Sequence, residues 1–493
     1  MRIADKILKN ASHNGSAIIV HSGDQELSWD SLIEEALSFA KQINIEFEAN
    51  SNVPILIDRS CNSVVAILGV ILSGRSVSPI AADQPFARTR ECLRILTAGK
   101  YIKASTLQIC PVPIEDTSKQ FLNVPPELFY VLFTSGSTGN PKGVMVSEKN
   151  LENTLMWAEE QELIRGDAHL GIAGQFSFDI ALFDLFVGLY FNRPITILRE
   201  PRNPALVLEE ICSTGINSIF ATPMFFSQFV KYDLLHRKEL VNLKRIISGG
   251  DFFPPSHIAE FHKNLPLLEI LNVWGPTETS VVNTAYKLTP RDFHLAANGG
   301  TPSIGRTTRR MTVEVWDEND QVCGVGEVGE LIITGQAVSL GYLGTKDAVT
   351  ESAFFREKGE SGFRTGDYGF ADENGLLYLI GRNSNFYKVQ GYRVDPHEIE
   401  NLVETSPYVY KSCVVSKLQD DAHCLVLLVE IKNHTIDTQR MRFELRQLLQ
   451  EKLPRYMIPR DIHVVDSIPL NVNGKVDRRK VGEYVLELIN TEG

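Results

Sequence analysis

The chain is predicted to be an α/β protein. It has a large N-terminal domain of layered α/β sheets, a small barrel-like subdomain, and a small α+β C-terminal domain. Three observations predict this. Strand-like apolar runs alternate with amphipathic helical patterns through about residue 380, as layered, largely parallel sheets require. Between 300 and 345 the pattern changes to short strands with Gly-rich turns, as in an antiparallel or barrel-like unit. From 385 onward a smaller set of strands is followed by a charged helix.

The elements follow in order. At 493 residues the chain exceeds one hydrophobic core, and domains are expected at 1–382 and 383–493. VVAILGVIL (64–72) is too short to cross a bilayer and reads as a buried helix. ELFYVLF (127–133) and VMVS (144–147) read as buried strands on either side of a polar loop. TLMWAEEQEL (154–163) is helical in pattern, and PITIL (194–198) is a strand. MTVEVW (311–316) and GELIIT (329–334) are the short strands of the subdomain. The last unit contains strands CVVSKL (413–418) and CLVLLVEI (424–431) and the helix QRMRFELRQLLQEKL (439–453).

Charge and cysteine content narrow the function classes. Forty-nine Lys and Arg against 61 Asp and Glu leave a net charge of −12, which argues against a general nucleic-acid binder. Neither a signal peptide nor a membrane-spanning run is read, so no membrane partner is expected. The seven cysteines are scattered, without CxxC spacing, which points to a reducing cytoplasm rather than a disulfide framework or zinc site.

Residues 133–143 read Phe-Thr-Ser-Gly-Ser-Thr-Gly-Asn-Pro-Lys-Gly. Gly136 and Gly139 let backbone N–H groups approach an anion closely; Thr134, Ser135, Ser137 and Thr138 add hydroxyls, and Lys142 adds a charge. Such a loop suits a polyphosphate. It is not the GxxxxGK[ST] loop that runs into a helix. The structural alternative is a Gly/Ser surface turn with a solvated lysine.

This string resembles the phosphate-loop signature of adenylate-forming enzymes: acyl-CoA synthetases, luciferases and the adenylation domains of nonribosomal peptide synthetases. Further motifs occur in that family's order, from about Arg59 to Lys475. In NVWGPTE (272–278), the resemblance gives Glu278 the task of holding Mg²⁺ against the phosphates. Trp274 matches the aromatic that stacks on adenine, where tyrosine is usual; Asn272 matches an adenine contact, and Thr277 is assigned to the nucleotide. In FRTGDYG (363–369), Asp367 matches the carboxylate that accepts both ribose hydroxyls, a geometry its two oxygens suit. Arg382 matches a nucleotide-contacting arginine at the domain boundary. In NGKVDRRK (473–480), Lys475 matches the lysine that bridges the substrate carboxylate and the AMP moiety. Alone, each of these residues also reads as an ordinary turn or surface residue.

One motif separates subfamilies. In FSFDIALFDLF (176–186), Asp179 precedes a helical pattern, so an N-cap is its structural alternative. Amino-acid-activating members carry this Asp, and it pairs with the substrate's α-ammonium. One departure also stands out: GRNSNFYKVQG (381–391) puts Ser384 where the hinge Asp is usual and Phe386 where Gln is usual, while Lys388, assigned to the nucleotide, and Gly391 are kept.

The resemblance also places a substrate pocket at Asp179, Ile180, Phe183, Phe220, Ile247, Gly249, Val273, Val281, Val282 and Lys475. Apart from its two charged ends the set offers no group to a polar side chain, which implies an aliphatic amino acid. Valine or isoleucine is expected first, then proline or alanine.

The expectation is therefore an amino-acid adenylation enzyme of the nonribosomal type, close to the D-alanine–carrier-protein ligases. Lys475, Glu278 and Lys142 are its expected catalytic residues, with ATP and Mg²⁺ as cofactors. The aminoacyl group would pass to the phosphopantetheine thiol of a separate peptidyl carrier protein in natural-product synthesis. Transfer to CoA or a free amine, and a nucleotide-binding protein without catalysis, are the alternatives.

Overall fold

The apolar runs become the inner strands of two sheets. The computed structural model describes residues 2–112, 125–134, 141–297, 301–343, 352–357, 359–382, 387–419, 422–431, 437–469, 476, 478 and 480–485. Contacts divide the chain into two units. The first comprises Met1–Ala82, Cys92–Phe133 and Lys142–Asn383; the second comprises Asp83–Glu91, Thr134–Pro141 and Ser384–Gly493.

In the first unit one sheet of nine strands runs in the order Arg306–Thr307, Thr284–Lys287, Glu269–Trp274, Arg245–Ser248, Ser218–Ala221, Leu170–Ile172, Ile195–Ile197, Ile18–Ser22, Gln25–Ser28. From Glu269–Trp274 to Ile18–Ser22 its pairs are parallel. A second sheet contains Leu128–Thr134 and Lys142–Ser147, so the strand–loop–strand reading of the phosphate loop holds on both flanks.

Two helices show why these sheets need an interior. Cys61–Leu72 is buried along most of its length and capped by Ser60, whose hydroxyl accepts from the Ser63 N–H. Asp179–Phe191 is apolar apart from Asp179 and Asp184 and buried from Asp179 to Tyr190, the pattern of a core helix rather than a surface one. Both belong to the largest hydrophobic cluster.

The barrel-like subdomain is an antiparallel sheet of Met311–Trp316, Gly329–Gly335, Glu360–Ala371 and Phe354–Glu357, with Leu377–Arg382 paired to Glu360–Ala371. It extends beyond the expected 300–345 because FRTGDYG lies inside a long strand, not in a turn. Gly381 and Arg382 likewise end a strand instead of following one. The helix expected at 154–163 runs from Glu148 to Glu160, because Ser147 and Asn150 form a capping box upstream of the apolar run.

The second unit has its own core. Val409–Gln419 pairs antiparallel with Ala422–Ile431, which pairs parallel with Asp461–Val465. The helices Pro396–Glu404 and Thr438–Lys452 accompany this sheet. Arg478 holds the segment after the NGK motif: its guanidinium bonds both Glu400 oxygens at 2.7 and 2.8 Å and the Val414 carbonyl at 2.8 Å. Tyr387–Val389 and Tyr392–Val394 form a hairpin whose turn, Gln390 and Gly391, has φ of 55° and 82°.

Among the described residues, no helix is long and apolar enough to cross a membrane. None of the seven cysteines, all of them among the described residues, is in a disulfide.

Candidate active site

The site is built at the carboxyl ends of parallel strands, where α/β sheets present ligand-binding loops. Phe220, Ile247 and Leu271 lie side by side in register, as do Ala221, Ser248 and Asn272 one step later. Gly249, Val273 and Trp274 follow at the strand ends. Ile180, Phe183, Phe220, Ile247, Val273, Val281 and Val282, the apolar residues expected to line the pocket, all belong to one large buried cluster that also holds much of the first unit's core. Phe183 and Phe220 meet edge to face with ring centroids 5.8 Å apart. A Cβ on Gly249 would stand 2.7 Å from Val273 Cγ2 and 3.3 Å from Phe220, so glycine is required by close approach.

Asp179 is not the N-cap. Phe178 occupies that position and Asp179 is the first helical residue. Its carboxylate is 6% exposed, accepting from the Ile180 N–H at 2.8 Å through Oδ1 and from the Thr277 hydroxyl at 2.7 Å through Oδ2. A negative group at a helix N-terminus is favoured by the helix dipole. Burial first, and the Asp179 charge second, push the phenol of Tyr130 above its usual range. Thr277, assigned to the nucleotide from sequence, thus donates its hydroxyl to Asp179, the residue assigned from sequence to the amino acid.

The acidic turn follows. Glu278 lies in a short 3-10 turn, Thr277–Thr279, and is 1% exposed. The Tyr342 hydroxyl donates to Glu278 Oε1 at 2.5 Å, and the Lys142 ammonium lies 5.4 Å from the centre of the Tyr342 ring. Tyr342 therefore joins two residues expected to be catalytic. Nothing in the motif spacing singled it out. The turn continues through Ser280 and Val281, with φ of 59° and 77°. Left-handed backbone at a β-branched valine is strained, and strain of this kind collects at functional sites. Hydrogen bonds hold it: Thr154 Oγ1 donates to the Ser280 carbonyl at 2.9 Å, and Ser280 Oγ to the Ala337 carbonyl at 3.0 Å.

The residues assigned to the nucleotide from sequence are divided between the two units. Asn272 donates through Nδ2 to the Ser303 carbonyl at 2.8 Å. Trp274 donates its indole N–H to Asp367 Oδ2 at 3.0 Å. Asp367 stands opposite Arg382 in the strand register; the Arg382 side chain is outside the described residues. Thr134 ends its strand with a buried hydroxyl that has no hydrogen-bond partner among the described residues. Lys388 is half-buried in the second unit. Ser135, Gly136, Ser137, Thr138, Gly139, Ser384, Phe386 and Lys475 lie outside the described residues.

The model of the AMP-binding enzyme family matches residues 7–343, and that of the AMP-binding enzyme C-terminal domain matches 398–475. The chain belongs to the AMP-binding enzyme family. Over 512 residues this AMP-binding enzyme is 28% identical to the D-alanine–D-alanyl carrier protein ligase of Bacillus licheniformis, covering 98% of this chain and 100% of the relative. Its fold is that of the amide bond synthetase McbA of Marinactinospora thermotolerans, with a TM-score of 0.85 at 21% identity over 98% and 99% of the two chains. The Vibrio cholerae adenylation domain AlmE, solved with glycyl-adenosine-5'-phosphate, gives a TM-score of 0.83 at 20% identity over 98% of each chain. The AMP-binding enzyme described here is accordingly an adenylate-forming ligase with a large α/β domain and a small C-terminal domain.

Proposed function

We propose that this ligase activates a small aliphatic amino acid as its aminoacyl-adenylate and passes it to the phosphopantetheine thiol of a separate carrier protein in the cytoplasm. The single observation that carries the amino-acid reading is Asp179: a buried carboxylate, held at both oxygens, at the edge of an otherwise apolar cluster. The α-ammonium of an amino acid is a cation that a carboxylate so placed can bind through charge-assisted hydrogen bonds.

Side-chain size follows from the aromatic pair. The lining residues taken one by one favour valine or isoleucine. With Phe183 and Phe220 packed edge to face and Gly249 already tight against Val273, alanine is the better fit. The Bacillus relative, a D-alanine ligase by name, supports the same size and the carrier as acceptor.

The substrate carboxylate attacks the α-phosphorus of ATP, and pyrophosphate leaves. Asp179 fixes the ammonium end of the nucleophile, which converts part of the encounter entropy into binding. The chain's donor set fits Mg²⁺, which usually takes one or two carboxylates together with phosphate oxygens and water. Glu278, oriented by Tyr342, is the residue to hold it, and the bound ion would neutralise charge on the phosphates. The buried Thr134 hydroxyl, without a hydrogen-bond partner among the described residues, suits a phosphate oxygen at the start of the loop. Lys475 keeps the charge-stabilising role that the resemblance gives it. In the second half-reaction the thiol attacks the acyl carbon and AMP leaves.

The test is Asp179→Ala. The variant is expected to lose amino-acid-dependent ATP–pyrophosphate exchange while ATP binding, followed by calorimetry, persists. Near-normal exchange would refute the ammonium pairing.

A further inference from the structure

We propose that Trp274 is a positioning residue for the ribose of ATP, acting through the edge of its ring. The inference rests on the nucleotide reading above and adds a role to it. Trp274 is the last residue of the strand Glu269–Trp274, and its ring packs in the subdomain's hydrophobic cluster with Ile304 and Val315. Only 3% of the residue is exposed. Its indole N–H reaches Asp367 Oδ2 at 3.0 Å, joining the large sheet to the strand Glu360–Ala371.

The choice of partner is informative. A buried indole N–H needs an acceptor, and any carbonyl would satisfy it. Here it takes one oxygen of a carboxylate that is itself 4% exposed. A hydrogen bond to an ionised group is about twice as strong as a neutral one and more directional. It also supplies a donor to an anion that burial would otherwise penalise. The backbone of Asp367 is held as well: its N–H donates to Thr365 Oγ1 at 2.9 Å, and Thr365 Oγ1 donates to the Leu331 carbonyl at 2.7 Å. Side chain and backbone are thus fixed from two directions.

A carboxylate has about four acceptor sites. One is given to the indole, and this bond restrains rotation about the Cβ–Cγ bond. The tyrosine usual at this position carries its hydroxyl at the ring tip and has no N–H on the ring edge. The tryptophan therefore places a donor at the ring edge, where a tyrosine has none, and it does so at the residue expected to read the ribose.

The experiment measures the dissociation constants of ATP and 2′-deoxy-ATP by calorimetry on the full-length wild type, Trp274→Phe, Asp367→Asn and the double variant. The ratio of the two constants is taken within each preparation, so loss of folded protein cancels. The wild type should prefer ATP, and Trp274→Phe should reduce that preference roughly tenfold, the size of a charge-assisted bond. In the Asp367→Asn background the same substitution should change the ratio by less than about twofold, because the coupling is gone. Wild-type preference for ATP with an unchanged ratio in Trp274→Phe overturns the role of Trp274 alone. A wild type that binds neither nucleotide overturns the nucleotide reading and this inference with it.

Discussion

Thr277 and Asp179 show what a single hydroxyl does in this site. The two residues are far apart in sequence, and their bond of 2.7 Å fixes one oxygen of the carboxylate. Thr277→Val keeps the shape and removes the donor. It is expected to raise the KM for the amino acid on the order of tenfold, as loss of one bond to a charged group does, with little change in the KM for ATP. Exchange kinetics at saturating levels of the other substrate read both constants, and a rise confined to ATP would return Thr277 to the nucleotide. Asp179, Glu278 and Asp367 were legible in sequence because each sits in a long motif. Thr277 and Trp274 were named from their motif, but their bonds to Asp179 and Asp367, and Tyr342 itself, were not legible, because a side-chain hydrogen bond across the fold leaves no local spacing to read.

At the scale of elements, the strands were the most readable part. Continuous apolar runs bounded by turn residues became buried parallel strands, and MTVEVW became the strand Met311–Trp316 without adjustment. The strained turn at Ser280–Val281 was not readable, since a valine argues against left-handed backbone and only the surrounding hydrogen bonds hold it there.

The strand Leu170–Ile172 carries a related feature just upstream, at His169. This imidazole is buried, bonded to Thr196 Oγ1 at 2.9 Å and 5.4 Å from the ring of His21. Burial first, and the neighbouring His21 second, lower its pKa from 6.5 to about 4. The native state then binds this proton less readily than the unfolded chain does. Stability is fully present above about pH 6.5 and is lost as pH falls toward 4. By pH 5 the loss is about 2 kcal/mol. Denaturant unfolding at pH 7.5 and pH 5 should show a difference that shrinks by that amount in His169→Asn; an equal difference in both proteins would contradict the assignment.

The whole molecule combines two units with separate cores, the first carrying Asp179, Glu278 and Asp367 and the second carrying Arg478 and its Glu400 anchor. The layered sheets and the small α+β unit were legible because hydrophobic period reports element type. The extent of the barrel-like subdomain was not, because its last strands carry motif residues that look like turns. The central claim is that one carboxylate and one apolar cluster make this fold an amino-acid activator. ATP–pyrophosphate exchange on the full chain, across the standard amino acids with their D- and β-isomers, tests it most directly. The account predicts exchange that is strongest with alanine, in one stereoisomer, and weaker with valine and isoleucine. Protein that binds ATP yet shows exchange with none of them would contradict it.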